Sequence, residues 1–412
     1  MEPEPQPQPP TQPTDPTLQS TGLPETSGPG AYPPPGPLGP PEPYRGLRWM
    51  FVGDQGLRAG WSALLFTFLF ILFLIAIQSI FVQAHLVSRK HPEIETAGGA
   101  IFSELILFLA MLAAAAVLAL VERRSLLDFN LRGPRRLQHF FSGLAIGLLA
   151  LSTLIGALAW GHWLRLGPES LSAGQLFLYA LLWGFAFLLV GCVEEGTFRC
   201  YLQFTLTRGI NFWWALGANA AICLDLVIRA KGNGVWGDYA IALLGVIPCY
   251  ILHRKSAARS AAFWQAAWVT STLFGFLHTG NGGENWIGIF AAALIGFTFC
   301  VSIWATGSAW WAIGCHAGWD WGETFFYGTA DSGLVARGHL FASTPAGNVL
   351  WSGGRDGPEG SLLVIAVILL LLVVLVTVYR RKSAPPPAPG SPPPPRVSSE
   401  AGAAPVSSAQ QS

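Results

Sequence analysis

The stretch LFLYALLWGFAFLLVGCVEEGTFRCYLQF, residues 176–204, is apolar over most of its length and then holds Glu194, Glu195 and Arg199. It exceeds the ~20 residues that a helix needs to cross a bilayer, so it reads as a membrane span. Each ionised side chain in such a span costs roughly 3 kcal/mol to insert. Charges kept against that penalty are functional candidates. Two later apolar stretches repeat the pattern, one ending at His278 and one holding His316 with Asp320. Costly polar groups therefore mark three separate spans.

The rest of the chain agrees with a membrane setting. Its 412 residues are 51% hydrophobic and 11% charged, with mean hydropathy +0.44, outside the range of a soluble globular domain. The expected fold class is all-α, a polytopic membrane helix bundle. Apolar runs cover Gly60–Val82, Gly98–Val121, Phe140–Ala159, Leu176–Phe204, Trp286–Thr306, Ser308–Tyr327 and Ser361–Tyr379. Weaker ones at Phe212–Val227, Tyr239–Leu252 and Phe263–His278 bring the expectation to ten spans. With the amino terminus inside and sides alternating, 17 of the 24 Lys and Arg residues fall in the cytoplasm and 7 outside. That asymmetry fits the positive-inside rule and puts both termini in the cytoplasm. Arg380, Arg381 and Lys382 directly after the last run read as a cytoplasmic stop.

Residues 1–44 and 383–412 are rich in Pro with Gln, Ser or Ala, cannot bury a core, and are expected to be disordered or polyproline-like tails flanking a membrane domain at 45–382. The opening residues lack a basic region, apolar core and cleavage site, so no removable signal peptide is expected. The net charge of +1 gives no footprint for nucleic acid, and the basic loops are explained by topology. Six cysteines without CxxC spacing suggest neither a disulfide framework nor a zinc cluster. Gly143 and Gly147 form a small-xxx-small pair suited to close helix approach. The Gly-rich external segment at about 328–360 reads as a lid or a tolerated excursion with no chemistry of its own.

On a helix Glu195 and Arg199 share a face in the favourable acid-to-base order and make the natural ion pair. Glu194 is rotated by about 100° and can point elsewhere. A dehydrated carboxylate beside a second one is shifted toward the pKa that a general base requires. Phe274 and His278 lie one turn apart, as do His316 and Asp320. At 1.5 Å per residue Glu194 lies about 21 Å, His278 about 23 Å, and His316 and Asp320 about 12 and 18 Å from the cytoplasmic ends of their helices. The groups can therefore meet in one layer, although singly each has a bland reading as a packing cluster or an interfacial anchor.

The ordered set EExxxR (Glu194, Glu195, Arg199), FxxxH (Phe274, His278) and HxxxD (His316, Asp320) resembles the three motifs of the CPBP family, the CAAX proteases and bacteriocin-processing enzymes, also called Abi intramembrane glutamic endopeptidases. The resemblance covers about residues 176–327. It implies a helical bundle with a cavity open toward the cytoplasm, a first glutamate that activates water, no cofactor, and a bacterial-type inner membrane. The partners it implies are the bilayer and a peptide or protein substrate, prenylated or otherwise membrane-associated. Two features depart from the pattern. First, 78 residues separate Arg199 from His278, which an inserted two-span hairpin around 212–252 on an eight-span core would explain. Second, Asp320 stands where many members have Asn, and an ionised Asp cannot donate a hydrogen bond to an oxyanion.

The reading that follows is a metal-independent peptidase: Glu194 takes a proton from water, which His278 helps to position, and His316 with Asp320 stabilises the oxyanion. Glu195 and Arg199 hold the helix and tune Glu194. Three alternatives stay open. Two His and a Glu also suit zinc, although the helical HExxH pair is absent. A silent scaffold, or a transporter using the polar layer, would need the same residues without hydrolysis. Cys315 is a poor nucleophile for His316, because adjacent helical residues diverge.

Overall fold

A computed structural model describes residues 48–53, 56–84, 96–168, 171–229, 234–258 and 260–379. The Pro-rich tails, Arg45, Arg259 and the basic run Arg380 to Lys382 lie outside the described residues. The protein is a mostly helical, polytopic membrane bundle. Its principal helices are α1 (Ala59–Gln83), α2 (Ala97–Val121), α3 (Arg136–Trp160), α4 (Ala173–Thr207) and α5 (Phe212–Arg229). They continue as α6 (Gly234–Lys255), α7 (Ala261–His278), α8 (Trp286–Thr306), α9 (Trp310–Asp320) and α10 (Leu362–Val378). Six of them, α1 to α5 and α8, are long and apolar enough to cross a bilayer. α10 is apolar throughout but spans 17 residues.

Local sequence sets the helix ends. Ser172 and Gln175 form a capping box ahead of α4. Asn285 accepts from the Ile287 and Gly288 amides to start α8, and Ser361 accepts from Leu363 N to start α10. Each satisfies amide groups that a first turn leaves open. α8 stops at Gly307, whose φ of 84° suits glycine.

Two faces are defined by contacts between connections. On one, Ala309 N bonds Asn130 O at 2.8 Å, and Arg208 pairs with Glu122, so the α2–α3, α4–α5 and α8–α9 connections lie together. On the other, strand β1 (Leu164–Pro168), after α3, pairs antiparallel with β2 (Phe341–Pro345), after α9. Asn285, between α7 and α8, bonds Gly353 O and Gly360 O there. The first face is here called the basic face, the second the cavity face.

The tightest helix packing is between α3 and α9. Gly143 and Gly147 lie against Trp311 O and Cys315 O, where an added Cβ would come to 2.2 and 2.1 Å. Gly314 and Gly318 return the fit against Phe140 O and Leu144 O. Sequence reading found the first pair and missed the second, which stands beside the His316 motif. α5 and α6 occupy the stretch read as an inserted hairpin and dock on α7: Trp268 Nε1 donates to Gly245 O at 2.7 Å, and Thr272 Oγ1 to Asn219 Oδ1 at 2.7 Å.

Candidate active site

The helix from Ala173 continues past Glu195 through a π-helical turn, Gly196–Leu202. Such turns carry an extra residue per hydrogen-bonded ring and are frequent at functional sites. A second one, Trp321–Phe326, follows directly after Asp320. Both acidic motifs therefore sit where a regular helix gives way to a wider turn.

His316 is the hub. Its Nδ1 lies 2.9 Å from Glu195 Oε1, while its Nε2 lies 3.6 Å from Glu194 Oε2 and 3.4 Å from Asp320 Oδ2. Glu195 is fully buried and also meets Arg199 Nε at 3.3 Å. The expected ion pair is thus present, as a charge contact without hydrogen-bond geometry. The link from Glu195 to His316 was not foreseen, and it ties the first motif to the third. Glu194 keeps 34% of its side chain exposed and faces the cavity.

Arg199 is fully buried, and its guanidinium lies 4.2 Å from the Phe274 ring and 5.5 Å from that of Phe299. Aromatic faces replace water around the cation. Gly296 of α8 makes room for it, since a Cβ there would lie 2.2 Å from Nη2. Phe274 therefore joins the Arg199 site to His278, whose Nδ1 is 2.8 Å from Phe274 O. A carbonyl only accepts, so Nδ1 bears hydrogen and neutral His278 has an accepting Nε2. Phe299 stacks on the His316 ring at 5.7 Å and was not singled out from sequence.

Glu194, His278, His316 and Asp320 line one cavity of about 360 Å³, while Glu195 and Arg199 lie behind its wall. The segment read as having no chemistry contributes to that cavity: Asp331, Ser332, Leu334, Ala336 and Glu359 all line it. Among the described residues, none that lines the cavity comes from the basic-face connections. The resemblance implied an opening toward the cytoplasm. Part of the cavity lining comes from segment 328–360, which the same sequence reading places outside.

A carboxyl group from each of Glu323, Asp331 and Glu359 converges at this rim, with ligand atoms within 4.8 Å of one another. Trp319 Nε1 is shared between Glu323 and Glu359, and Thr324 and Ser332 donate to Asp331 and Glu359. Oxygen donors of this kind suit a hard cation. The set contains no imidazole, so it is not the two-His-and-Glu arrangement weighed for zinc. In the rim loops burial pushes Asp331 up to about 6, and burial with the nearby Asp356 charge pushes Glu284 up to about 8. Burial and Asp331 hold Glu359 well above the usual carboxylate range. Glu104 and Glu323 were legible by the criterion that found Glu194, because each is an acid inside an apolar run and they lie at this cavity or its rim.

The helical membrane bundle thus brings acids and imidazoles together at one internal cavity. Residues 249–322 match the family described as type II CAAX prenyl endopeptidase Rce1-like. That match makes 74 of the 412 residues similar to a family of membrane endopeptidases. It takes in His278, His316 and Asp320 and begins after the helix that bears Glu194. Comparison with curated proteins and with solved structures gave no match.

Proposed function

We propose that the protein is an intramembrane glutamate-dependent endopeptidase, CAAX prenyl protease-like in chemistry, with Glu194 as general base. The observation that supports this most directly is His316 standing between Glu194, Glu195 and Asp320 at a cavity wall that His278 also lines. Glu194 takes a proton from water held between it and His278 Nε2, and the hydroxide adds to the peptide carbonyl carbon. Two carboxylate oxygens, from Glu194 and Asp320, face His316 Nε2, and in this reading the Nε2–Asp320 contact holds the hydrogen that is offered to the oxyanion. This resolves the departure at Asp320: the aspartate acts through the imidazole and does not need to donate. The C–N bond then breaks, and the amine leaves with the proton held by Glu194. Glu195 orients His316 and is itself held by Arg199.

In this reading the substrate is a peptide or protein segment at the membrane, and every proton step uses the chain's own groups. The domain spans ten times over 45–382, as an eight-span core with its motifs at 176–327 and an added hairpin at 212–252. It sits in a bacterial-type inner membrane with both termini cytoplasmic. Purified Glu194→Gln, which keeps size and loses basicity, should cut kcat by at least ~100-fold, the lower end of general-base catalysis. Full activity in that variant would remove the assignment.

A further inference from the structure

Three acids outside the catalytic cluster converge where three separate pieces of chain meet. Glu323 stands in the π-turn after α9, Asp331 in the segment that follows it, and Glu359 in the short turn ahead of α10. One carboxyl oxygen from each lies within 4.8 Å of the others. A point therefore exists no more than about 2.8 Å from all three, close to the roughly 2.3–2.6 Å at which Ca²⁺ binds oxygen.

Acids near one another are common and do not make a site. The hydrogen bonding of Glu323 supplies a separate reason. Its side chain is wholly buried; Oε2 accepts from Trp319 Nε1 at 3.0 Å, and Oε1 has no hydrogen-bond partner among the described residues. A buried oxygen without a donor keeps its full desolvation cost. The donors nearby are already shared out. The same indole N–H also reaches Glu359 Oε1 at 2.9 Å, Thr324 Oγ1 donates to Asp331, and Ser332 Oγ donates to Glu359. Among the described residues no Lys, Arg or His forms an ion pair with any of the three acids. The cluster thus lacks positive charge, and a donor set made only of oxygens selects a hard cation. Asp331 and Glu359 also line the cavity, from which water can complete a coordination shell.

We infer that Glu323, Asp331 and Glu359 form a structural site for a divalent cation of the Ca²⁺ type, which fastens segment 328–360 to the end of α9 and the start of α10. Ca²⁺ accepts oxygens in a flexible geometry, whereas Mg²⁺ demands a near-ideal octahedron, so Ca²⁺ suits carboxylates brought together from separate loops. Binding releases the protons that carboxyl groups hold, so the proton-bearing rim is the cation-free form. The ion stands apart from the proposed hydrolysis: Glu194 is not among its ligands, and its binding is independent of any peptidase activity.

The full-length protein, purified in detergent and stripped with EGTA at pH 8, tests the site without an activity measurement. Adding Ca²⁺ at ten times its dissociation constant should make proteolytic opening of segment 328–360 about tenfold rarer, as binding to the closed form alone requires. Tb³⁺, which replaces Ca²⁺, should luminesce on indole excitation, because Trp319 Nε1 lies 3.0 and 2.9 Å from two of the ligand carboxylates, and Ca²⁺ should abolish that signal by displacement. Glu323→Gln and Asp331→Asn should each weaken Ca²⁺ binding by at least ~10-fold, an effect that even outer-shell substitutions reach. Cooperative unfolding of both variants in EGTA shows that they fold. Glu284→Gln, which removes a rim acid outside the set, should keep the full response. No protection and no terbium signal in the wild type overturns the inference and leaves the rim acids to protons alone. An undiminished Ca²⁺ response in both ligand variants overturns it too, because the ion then binds elsewhere. Equal loss in Glu284→Gln reduces the effect to general negative charge and likewise removes the site.

Discussion

At the base of the cavity Glu195 meets a guanidinium at 3.3 Å and an imidazole at 2.9 Å, whereas at the rim Glu323 and Glu359 share one indole N–H. The base brings a guanidinium and an imidazole to its buried acid. The rim tolerates acids by letting them hold protons, as the upward shifts of Asp331, Glu359 and Glu284 indicate. A buried acid is thus informative only with its partner: a paired one can orient a catalytic group, and a protonated one is a hydrogen-bonding element.

Removing a cation should therefore harm the base far more than removing an acid harms the rim. Arg199→Met leaves Glu195 buried with half its compensation, and breaking such a pair costs about 3–5 kcal/mol. The neutral double variant Arg199→Met with Glu195→Gln should recover a good part of that loss. At the rim, Glu359→Gln at pH 8 should be neutral or stabilising. Thermal unfolding in detergent reads all three. Equal losses for Arg199→Met and Glu359→Gln would erase the distinction between the two regions.

The base also depends on backbone placement. A Cβ on Gly147 would lie 2.1 Å from Cys315 O, in the residue before His316. Gly147→Val should therefore push α9 off α3 at a cost of about 1–3 kcal/mol, the usual range for overpacking. Activity should fall with it, because His316 moves relative to Glu194. Gly156, with nothing within 4 Å of its added Cβ, is the control on the same helix, and Gly156→Ala should be silent. A silent Gly147→Val would show that the glycine fit does not position the site.

Asp320→Asn should be milder still, within about tenfold in kcat, or ~1.4 kcal/mol in activation free energy. An amide can donate to the oxyanion directly where the acid works through His316. Complete loss in this variant would refute the shared role.

The three motifs were legible in sequence because a charged group in an apolar run is conspicuous one residue at a time. Glu195 to Arg199 followed from helical spacing alone. The contact of Glu195 with His316 was not legible, because it joins helices 121 residues apart in sequence. The rim escaped for another reason: segment 328–360 is polar and Gly-rich, so its acids looked solvated. They become buried only when β2 pairs with β1 and Asn285 ties down Gly353 and Gly360.

The smallest expected effect gives the finest test of the rim. Glu284 lies between α7 and α8, and burial with the nearby Asp356 charge raises it to about 8 from an ordinary value near 4.5. The folded state therefore binds a proton that the unfolded chain has already released. Stability must fall as pH rises from the ordinary carboxylate range toward 8, then level off above it. Asp331 and Asp356, each pushed to about 6, add to the lower part of the same slope. Glu284→Gln should flatten the part between about pH 6 and 8 and leave below it only the shallower slope that Asp331 and Asp356 contribute. Limited proteolysis of segment 328–360 across that range reads the change locally. If the wild-type segment were equally protected at pH 5.5 and 8.5, the rim acids would be held by something other than protons.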